Sequence, residues 1–579
     1  VFTCRIVFFL WLLLLWPWSA IAAEKVSVTV SGVNKEIKAN VLALLTIYRQ
    51  KDNERLQAPG VRRLHRKAEK DIQAALAPFG YYHPIVHATL KKKDDVWHAD
   101  YSIEPGPPVL IAEVRTRLIS HGSENTGLQE AMQELKLKKG AILNQGVYED
   151  EKKRLVRVAL AAGYLDAVFV EKAITIDRLT NTAVISLVLD TGPMYVFGET
   201  TSNQEIIAKS LLDRYLPYGL GQPYSPKKLF ELQSILYRTD YFRRVVVHGN
   251  IDQAEDNAIP VEIELVPPEH FNRYSLGAGY ATDTGLRGKA EWTNRLVNKY
   301  GHRMSTVLQL AELENILTIR YEIPREDPRY DSMINNLSYQ DKTWEDTTTR
   351  LLSASISTAH AGPRFKLNSG LELRDEVYDV GDTSGDSTLL IPSVNCGIVF
   401  ADDILQTRNG IQASIGVLGG VDGVISDVNF LQSTISGKAI ITPLDGWRLI
   451  GRGNIGVTFV DSIDSLPPSL RFYTGGDTTI RGYAYKSIGT RDSAGEVIGG
   501  RYLMVGSIEL ERHIKKQWSV ATFWDGGTAT DDLSLNFYQG VGLGIRFRLP
   551  FGQVRLDVAS AVTEDGNPFR VHFSVGGDL

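Results

Sequence analysis

Cysteine and methionine are scarce in this chain, 2 and 5 among 579 residues. Cys4 lies in an apolar leader, so Cys396 alone cannot form an internal disulfide, and stability has to come from packing and strand pairing. An excess of positive charge is also missing. With 63 Lys+Arg against 68 Asp+Glu the formal net charge is -5, which excludes the electrostatic footprint of a nucleic-acid binder. After Trp18 there is no second long hydrophobic run to make a spanning helix. A membrane crossing would then have to be a closed β-barrel, because backbone polar groups find no water partners in lipid. Enzyme signatures are lacking too: there is no G-x-S-x-G elbow, no H-E-x-x-H pair and no phosphate loop, and the 11 histidines show no metal-ligand spacing. "GRGNIG" spells G-x-G-x-x-G at Gly451, Gly453 and Gly456, but within one alternating strand rather than between a strand and a helix. The carboxylate pairs Asp402-Asp403 and Asp531-Asp532 fall in expected turns. The chain is expected to be no enzyme and to need no cofactor or metal.

What is present points to export and to β structure. Gly (51) and Tyr (24) are generous. Arg5, the apolar run Ile6 to Trp16 and the small-x-small site Ala20-Ile21-Ala22 predict a signal peptide over residues 1–22, its apolar run shorter than the ~20 residues of a spanning helix.

The remainder divides into two halves with different patterns. From Glu24 to Pro268 a helix repeatedly ends in an aromatic turn and then a strand: "AALAPFGYYHPIVH", "VALAAGYLDAVFV" and "SILYRTDYFRRVVV". The copies lie 83 residues (Gly80 to Gly163) and 77 residues (Gly163 to Asp240) apart, a domain-sized period. The reading is three α+β modules of β-α-α-β-β order over residues 24–108, 109–193 and 194–268. The first bears Arg62, Arg63, Arg66, Lys67 and Lys70 on one helix, a pattern that suits a solvated face better than a partner-binding patch.

From residue 272 to 579 period-two alternation takes over. In "QGVGLGIRFRL", Val541, Leu543, Ile545 and Phe547 share one face, while Gly540, Gly542, Gly544, Arg546 and Arg548 share the other. Sixteen such runs predict a 16-stranded transmembrane antiparallel β-barrel. A soluble sandwich would have to bury the arginine-bearing faces in a dry core. Between two of the runs lies a connection over residues 460–500, far longer than a hairpin loop and rich in aromatics ("LRFYTGGDTTIRGYAY"), which predicts a loop folded back into the lumen. Arg481 on it needs anionic partners. Glu509, on the lumen-facing set with Ser507 and Glu511, and Asp525, read as ending the strand "SVATFWD", are the candidates. Gly482 would let the backbone approach the wall, and Tyr483 would fill the gap beside it. The alternative is an ordinary arginine in an external loop.

"IRGY" in a long late loop, followed by "SIELER" and "FWDGGTA", resembles the R-G-[FY] and F-x-D-x-G signatures of the outer-membrane assembly-factor superfamily that includes BamA and the two-partner secretion transporters. In that light the three modules resemble periplasmic POTRA domains. Their number, the chain length and the ending "FSVGGDL" are most similar to the translocation-and-assembly-module (TamA-like) branch. The resemblance implies an outer-membrane location, a loop tether at Arg481, Gly482 and Tyr483, and wall partners Glu509 and Asp525. It also implies unfolded outer-membrane and autotransporter clients, contact with outer-membrane lipid, and an inner-membrane-anchored TamB-like subunit as partner of the POTRA modules. The alternative is a two-partner-type pore exporting a dedicated soluble exoprotein. In such a barrel the first and last strands must close the seam. Gly277 and Gly279 on one side, and Phe573, Val575, Gly576 and Gly577 on the other, predict few closing hydrogen bonds and a candidate gate, unless the glycines serve only curvature.

Overall fold

In a computed structural model, the described residues are 24–281, 285–532, 536–550 and 552–576; the expected signal peptide and Gly577 lie outside them. The chain divides into two compact units, one of residues 1–201, 218–230 and 248–262 and the other of residues 202–217, 231–247 and 263–579.

The first module runs strand Lys25–Ser31, helices Lys35–Leu44, Thr46–Arg49 and Ala58–Leu76, then strands Ile85–Lys93 and Val96–Glu104. Asn34 starts the first helix by accepting from the Ile37 N–H at 2.9 Å, and Pro59 sits in the first turn of the long one. Along that long helix Val61, Leu64, Ala68, Ile72 and Ala75 recur at spacings of three and four and are buried, which leaves Arg62, Arg63, Arg66 and Lys70 in solvent. The second module has the same order without the short middle helix, with Leu110–Ile119, Thr126–Gln133, Gln145–Ala161, Val168–Asp177 and Thr182–Asp190. The third likewise has Val196–Ser202, Lys209–Tyr215, Pro226–Arg238, Arg244–Gly249 and Ala258–Val266. Every module sheet has its last strand in the centre, and in the first two the opening strand lies parallel to it.

The helix-ending turn doubles as the joint between modules. Gly80 has φ +84°, and a Cβ there would come within 2.6 Å of the Leu143 carbonyl oxygen, so glycine is required both for the turn and for the approach of the second module. The Gly80 carbonyl accepts from Val109 N–H at 2.8 Å, and the Gly163 carbonyl accepts from Tyr195 N–H at 2.8 Å. In the third copy Asp240 takes the glycine's place, also at positive φ (+60°), and its carboxylate accepts from Arg273 at 3.1 Å and Arg295 at 3.2 Å. The neighbouring Tyr241 hydroxyl donates to the Gly301 carbonyl at 2.7 Å.

The 16 barrel strands form one antiparallel sheet in sequence order, from Asn272–Ala281 to Phe569–Gly576. Strand length varies strongly: 19 residues in the eighth (Thr383–Ala401) against 9 in the third (Arg303–Ala311), with 10 described in the first and 8 in the last. Alternation holds where the sequence predicts it, with Val541, Leu543 and Ile545 exposed and Arg546 fully buried. The G-x-G-x-x-G match lies inside the eleventh strand, Trp447–Val460. One expectation is corrected. Asp525 does not end its strand: the thirteenth strand, Trp518–Thr530, continues through Gly526 and Gly527, so Asp525 sits within the ladder opposite Ser507. Gly527 is a spacing residue, since a Cβ there would run into the Met504 carbonyl of the adjacent strand.

Asp71 offers a test of the first module. It accepts from the Thr46 N–H at 2.9 Å and hydroxyl at 2.6 Å, with Lys67 Nζ 3.4 Å away. Burial alone would raise its pKa, but the Thr46 hydrogen bonds and Lys67 outweigh it and hold the carboxyl below its usual range. A lowered folded pKa stabilises above the ordinary value of about 3.9 and is lost as pH falls through the lowered one. Asp71→Asn is expected to cost about 2 kcal/mol near neutrality. Amide exchange of residues 58–76 should read this as faster opening in the variant, a difference that closes in acid.

Candidate functional site

The connection between the eleventh strand and the twelfth, Tyr502–Lys515, spans residues 461–501 and returns into the barrel. Apolar side chains fix it first. Leu466 and Leu470 join a buried cluster with Leu389, Ile391 and Phe430; Tyr473 and Val497 pack with Trp344; Ile480, Tyr483 and Ile488 pack with Leu503, Val505 and Ala561. Lys486 Nζ lies 3.7 Å from the centroid of the Trp344 ring, a close cation–π contact on the fifth strand, Asp331–Trp344. The loop is therefore held at several walls, as a buried segment needs to be to offset its ordering entropy.

Arg481 sits where these contacts converge and is 4% exposed. Its Nε donates to Asp525 Oδ2 at 2.7 Å and its Nη2 to Asp525 Oδ1 at 2.9 Å, a planar two-point pairing, while its own backbone N–H donates to Oδ2 at 3.1 Å. Nη1 reaches Glu509 Oε2 at 2.9 Å and Asp557 Oδ2 at 3.0 Å. The Phe523 ring lies beneath the guanidinium, centroid 3.3 Å away. Arg546 completes the network through Glu509 Oε1 at 2.9 Å and Asp557 Oδ1, and Arg452 approaches Asp525 at 3.4 Å. Three arginines thus meet three carboxylates, and Ser507 Oγ donates to Asp525 at 2.6 Å. Charge balance and saturated hydrogen bonding are what let such groups leave water. Every carboxylate of the network is matched by a cation, so the arrangement binds and locks rather than abstracting protons. Among the described residues no group of three His, Cys, Asp or Glu side chains could hold a metal ion.

The two neighbours of Arg481 complete the contact. Gly482 has φ +101°, and a Cβ there would stand 2.9 Å from Ala561 N and Ser560 C; its N–H donates to His572 Nε2 at 3.0 Å. The Tyr483 hydroxyl meets Thr563 Oγ1 at 2.6 Å and donates to the Gln539 carbonyl at 3.3 Å. The structure brings Arg481 together with both carboxylates singled out in the sequence, Glu509 and Asp525. Sequence reasoning missed Asp557, Arg452 as a partner of Asp525, and His572. The alternation in "VRLDV" places Asp557 on the lumen face, but only the ladder shows which inward residues are neighbours.

The seam residues lie apart from this network. Among the described residues no ladder joins the first and sixteenth strands, which form the two ends of the sheet. Gly277 has open space where a Cβ would stand, whereas a Cβ on Gly279 would come 2.9 Å from Arg287 Nε. Phe573 and Val575 project outward, and Gly576, the last described residue, pairs with Gln553. A cavity of about 720 Å³ lies at the seam, lined by Gly279, Phe573 and Val575 and by the loop residues Asp477, Thr478 and Tyr485. The loop thus reaches the inner side of the seam.

Residues 297–579 match the Omp85 superfamily domain, and residues 27–105 match the first POTRA domain of TamA. The barrel is an Omp85 superfamily domain. Among curated proteins the chain is similar to outer membrane protein assembly factor BamA of Neorickettsia risticii, 21% identical over 401 residues, covering 64% of this chain and 52% of that protein. It is also similar to BamA of Nitratidesulfovibrio vulgaris, 26% identical over 385 residues, covering 62% and 48%. The chain spans about half the length of these curated relatives. In fold it is similar to the crystal structure of Haemophilus ducreyi BamA lacking POTRA domains 1–3, with TM-score 0.66 and 16% identity, covering 81% of this chain and 99% of that one. An Omp85 barrel preceded by POTRA modules resides in the outer membrane with the modules in the periplasm.

Two substitutions probe the lock. Arg481→Ala leaves three buried carboxylates facing two arginines and is expected to cost about 3–5 kcal/mol locally. The barrel should still form, with a lower unfolding temperature and faster protease cleavage within 461–501. Gly540→Ala on the fourteenth strand (Tyr538–Leu549) would drive its Cβ into the Arg481 carbonyl oxygen and should expose the loop to protease likewise, whereas Gly506→Ala, which meets nothing within 4 Å, should behave as wild type.

Proposed function

We propose that this Omp85 barrel is a non-enzymatic assembly factor that assists insertion of β-barrel and autotransporter clients through the seam between its first and last strands. The observation that carries the reading is the seam itself, two terminal strands with no joining ladder among the described residues. Unpaired backbone groups facing lipid cost several kcal/mol each, so such edges are templates for a further strand. A client strand adding there would pair through its backbone and need no particular sequence.

Strand length supports the same reading. On the N-terminal side of the seam the third strand, Arg303–Ala311, has 9 residues, which at about 3.4 Å per residue and a tilt of ~40° span about 23 Å of membrane, less than the ~25 Å apolar band of such barrels. The eighth strand, with 19 residues, exceeds that band. A bilayer that follows the short strands is thinned beside the seam, which lowers the barrier to a client's entry. The POTRA modules would receive periplasmic partners, with an inner-membrane-anchored TamB-like subunit as the expected one.

The test is surface display of several autotransporters and outer-membrane proteins in cells lacking this protein, measured beside secretion of soluble exoproteins. Loss confined to membrane-integrated clients is expected, with partial loss in Arg481→Ala at equal protein level. Loss of a single soluble exoprotein alone would make the chain a dedicated secretion pore and overturn the proposal.

A further inference from the structure

The ionic anchors of Arg481 lie on the twelfth strand (Glu509), the thirteenth (Asp525) and the fifteenth, Gly552–Ala561 (Asp557). The sixteenth strand, which forms one lip of the seam, meets the Arg481-Gly482-Tyr483 motif through a different kind of contact, the Gly482 N–H to His572 Nε2 hydrogen bond of 3.0 Å. A backbone N–H can only donate, so Nε2 must offer its lone pair and the ring proton must reside on Nδ1. His572 is therefore neutral in this arrangement. It is 3% exposed and stands opposite Asp557 in the ladder between the last two strands.

Those surroundings make the contact conditional. A proton on Nε2 would set two N–H donors against each other across the loop-to-strand contact. The imidazolium would also find Asp557 beside it, the carboxylate that Arg481 and Arg546 already share. The strand register places Asp557 opposite His572 and Arg555 two residues along on the same face of the fifteenth strand, with Arg570 two residues away on its own strand, and Asp557 in turn carries Arg481 and Arg546. By alternation the first strand presents Arg273, Ser275, Gly277 and Gly279 on the lumen side; only Arg273 is charged, and it is engaged by Asp240.

We propose that His572 is a positioning residue that couples the loop to the seam. Neutral, it holds the closing strand to the anchored loop; protonated, it releases that strand while the arginine network stays in place. This inference rests on the reading of the seam as openable.

The experiment uses the full chain in lipid nanodiscs with Cys396→Ala and spin labels at Leu276→Cys and Val571→Cys, outward positions on the two lips that are 88% and 48% exposed. Electron–electron distance distributions are recorded well above and well below the ordinary imidazole pKa of about 6.5. Wild type should give one narrow distance at high pH and lose it at low pH. His572→Leu should lack the narrow distance at both. His572→Gln, whose amide oxygen accepts where Nε2 does, should keep it at both. A narrow distance in His572→Leu at both pH values overturns the coupling, and low-pH broadening that persists in His572→Gln assigns the titration to another group and overturns it too. Arg481→Ala separates the two readings: if it also stays narrow throughout, the seam does not open and the assembly reading falls with the inference; if it broadens while His572→Leu does not, only the inference falls.

Discussion

A guanidinium taken out of bulk water has to be matched in charge and in hydrogen bonds, and the interior of this barrel is organised around that requirement at Arg481. Two of its nitrogens are satisfied by Asp525 and the third by Glu509 and Asp557, which in turn need Arg546 and Arg452. Removing any member strands a charge, so the network holds as a set. The energetic consequence is less a large net gain in stability than a steep penalty for any other placement of the loop. Apolar clusters at three walls hold the loop along its length, and the ionic network determines its position at the site.

The strands that carry the network are also the ones nearest the seam on the C-terminal side. Glu509, Asp525, Arg546 and Asp557 lie on four consecutive strands, the twelfth to the fifteenth, which become a cross-braced plate. Among the described residues the sixteenth strand has a ladder on one edge, to the fifteenth, and the loop contact at His572 on its lumen face. Rigidity therefore ends one strand short of the seam.

Much of this was legible in the sequence, for identifiable reasons. Period-two alternation is dense enough from residue 272 onward to reveal sixteen strands, and the high cost of burying an arginine directs attention to inward carboxylates near Arg481. What sequence hides is neighbourhood across the ladder. Asp557 is 76 positions from Arg481 and His572 is 90 from Gly482, and only strand register brings them together. Asp525 was misplaced at a strand end; in the folded barrel the strand runs on through Gly526, which leaves room for the Trp524 ring, and Gly527, which leaves room for the backbone of the adjacent strand. The repeat in the modules was visible as helix, glycine and aromatic. The substitution of Asp240 for glycine gains meaning only when Arg273 and Arg295 are seen to converge on it.

The Asp240 exchange bears on how the modules and barrel divide their tasks. In the first two copies the turn is a glycine whose carbonyl accepts from the next module, a contact made by backbone alone and indifferent to charge. In the third copy the same turn offers a carboxylate to two arginines of the barrel, and Tyr241 adds a hydrogen bond to the barrel turn at Gly301. At this turn the contact is thus a neutral backbone bond between modules and a charged, side-chain-specific one at the barrel, while side chains cross between modules elsewhere, as where the Tyr195 hydroxyl donates to Asp166 at 2.9 Å. A single neutral hydrogen bond contributes about 1 kcal/mol and a charge-assisted one about 1.5–3 kcal/mol, so the joint at the barrel is the firmer of the two kinds. The same division recurs inside the barrel, where charge-assisted bonds hold the loop to the braced strands and a neutral bond reaches the sixteenth strand.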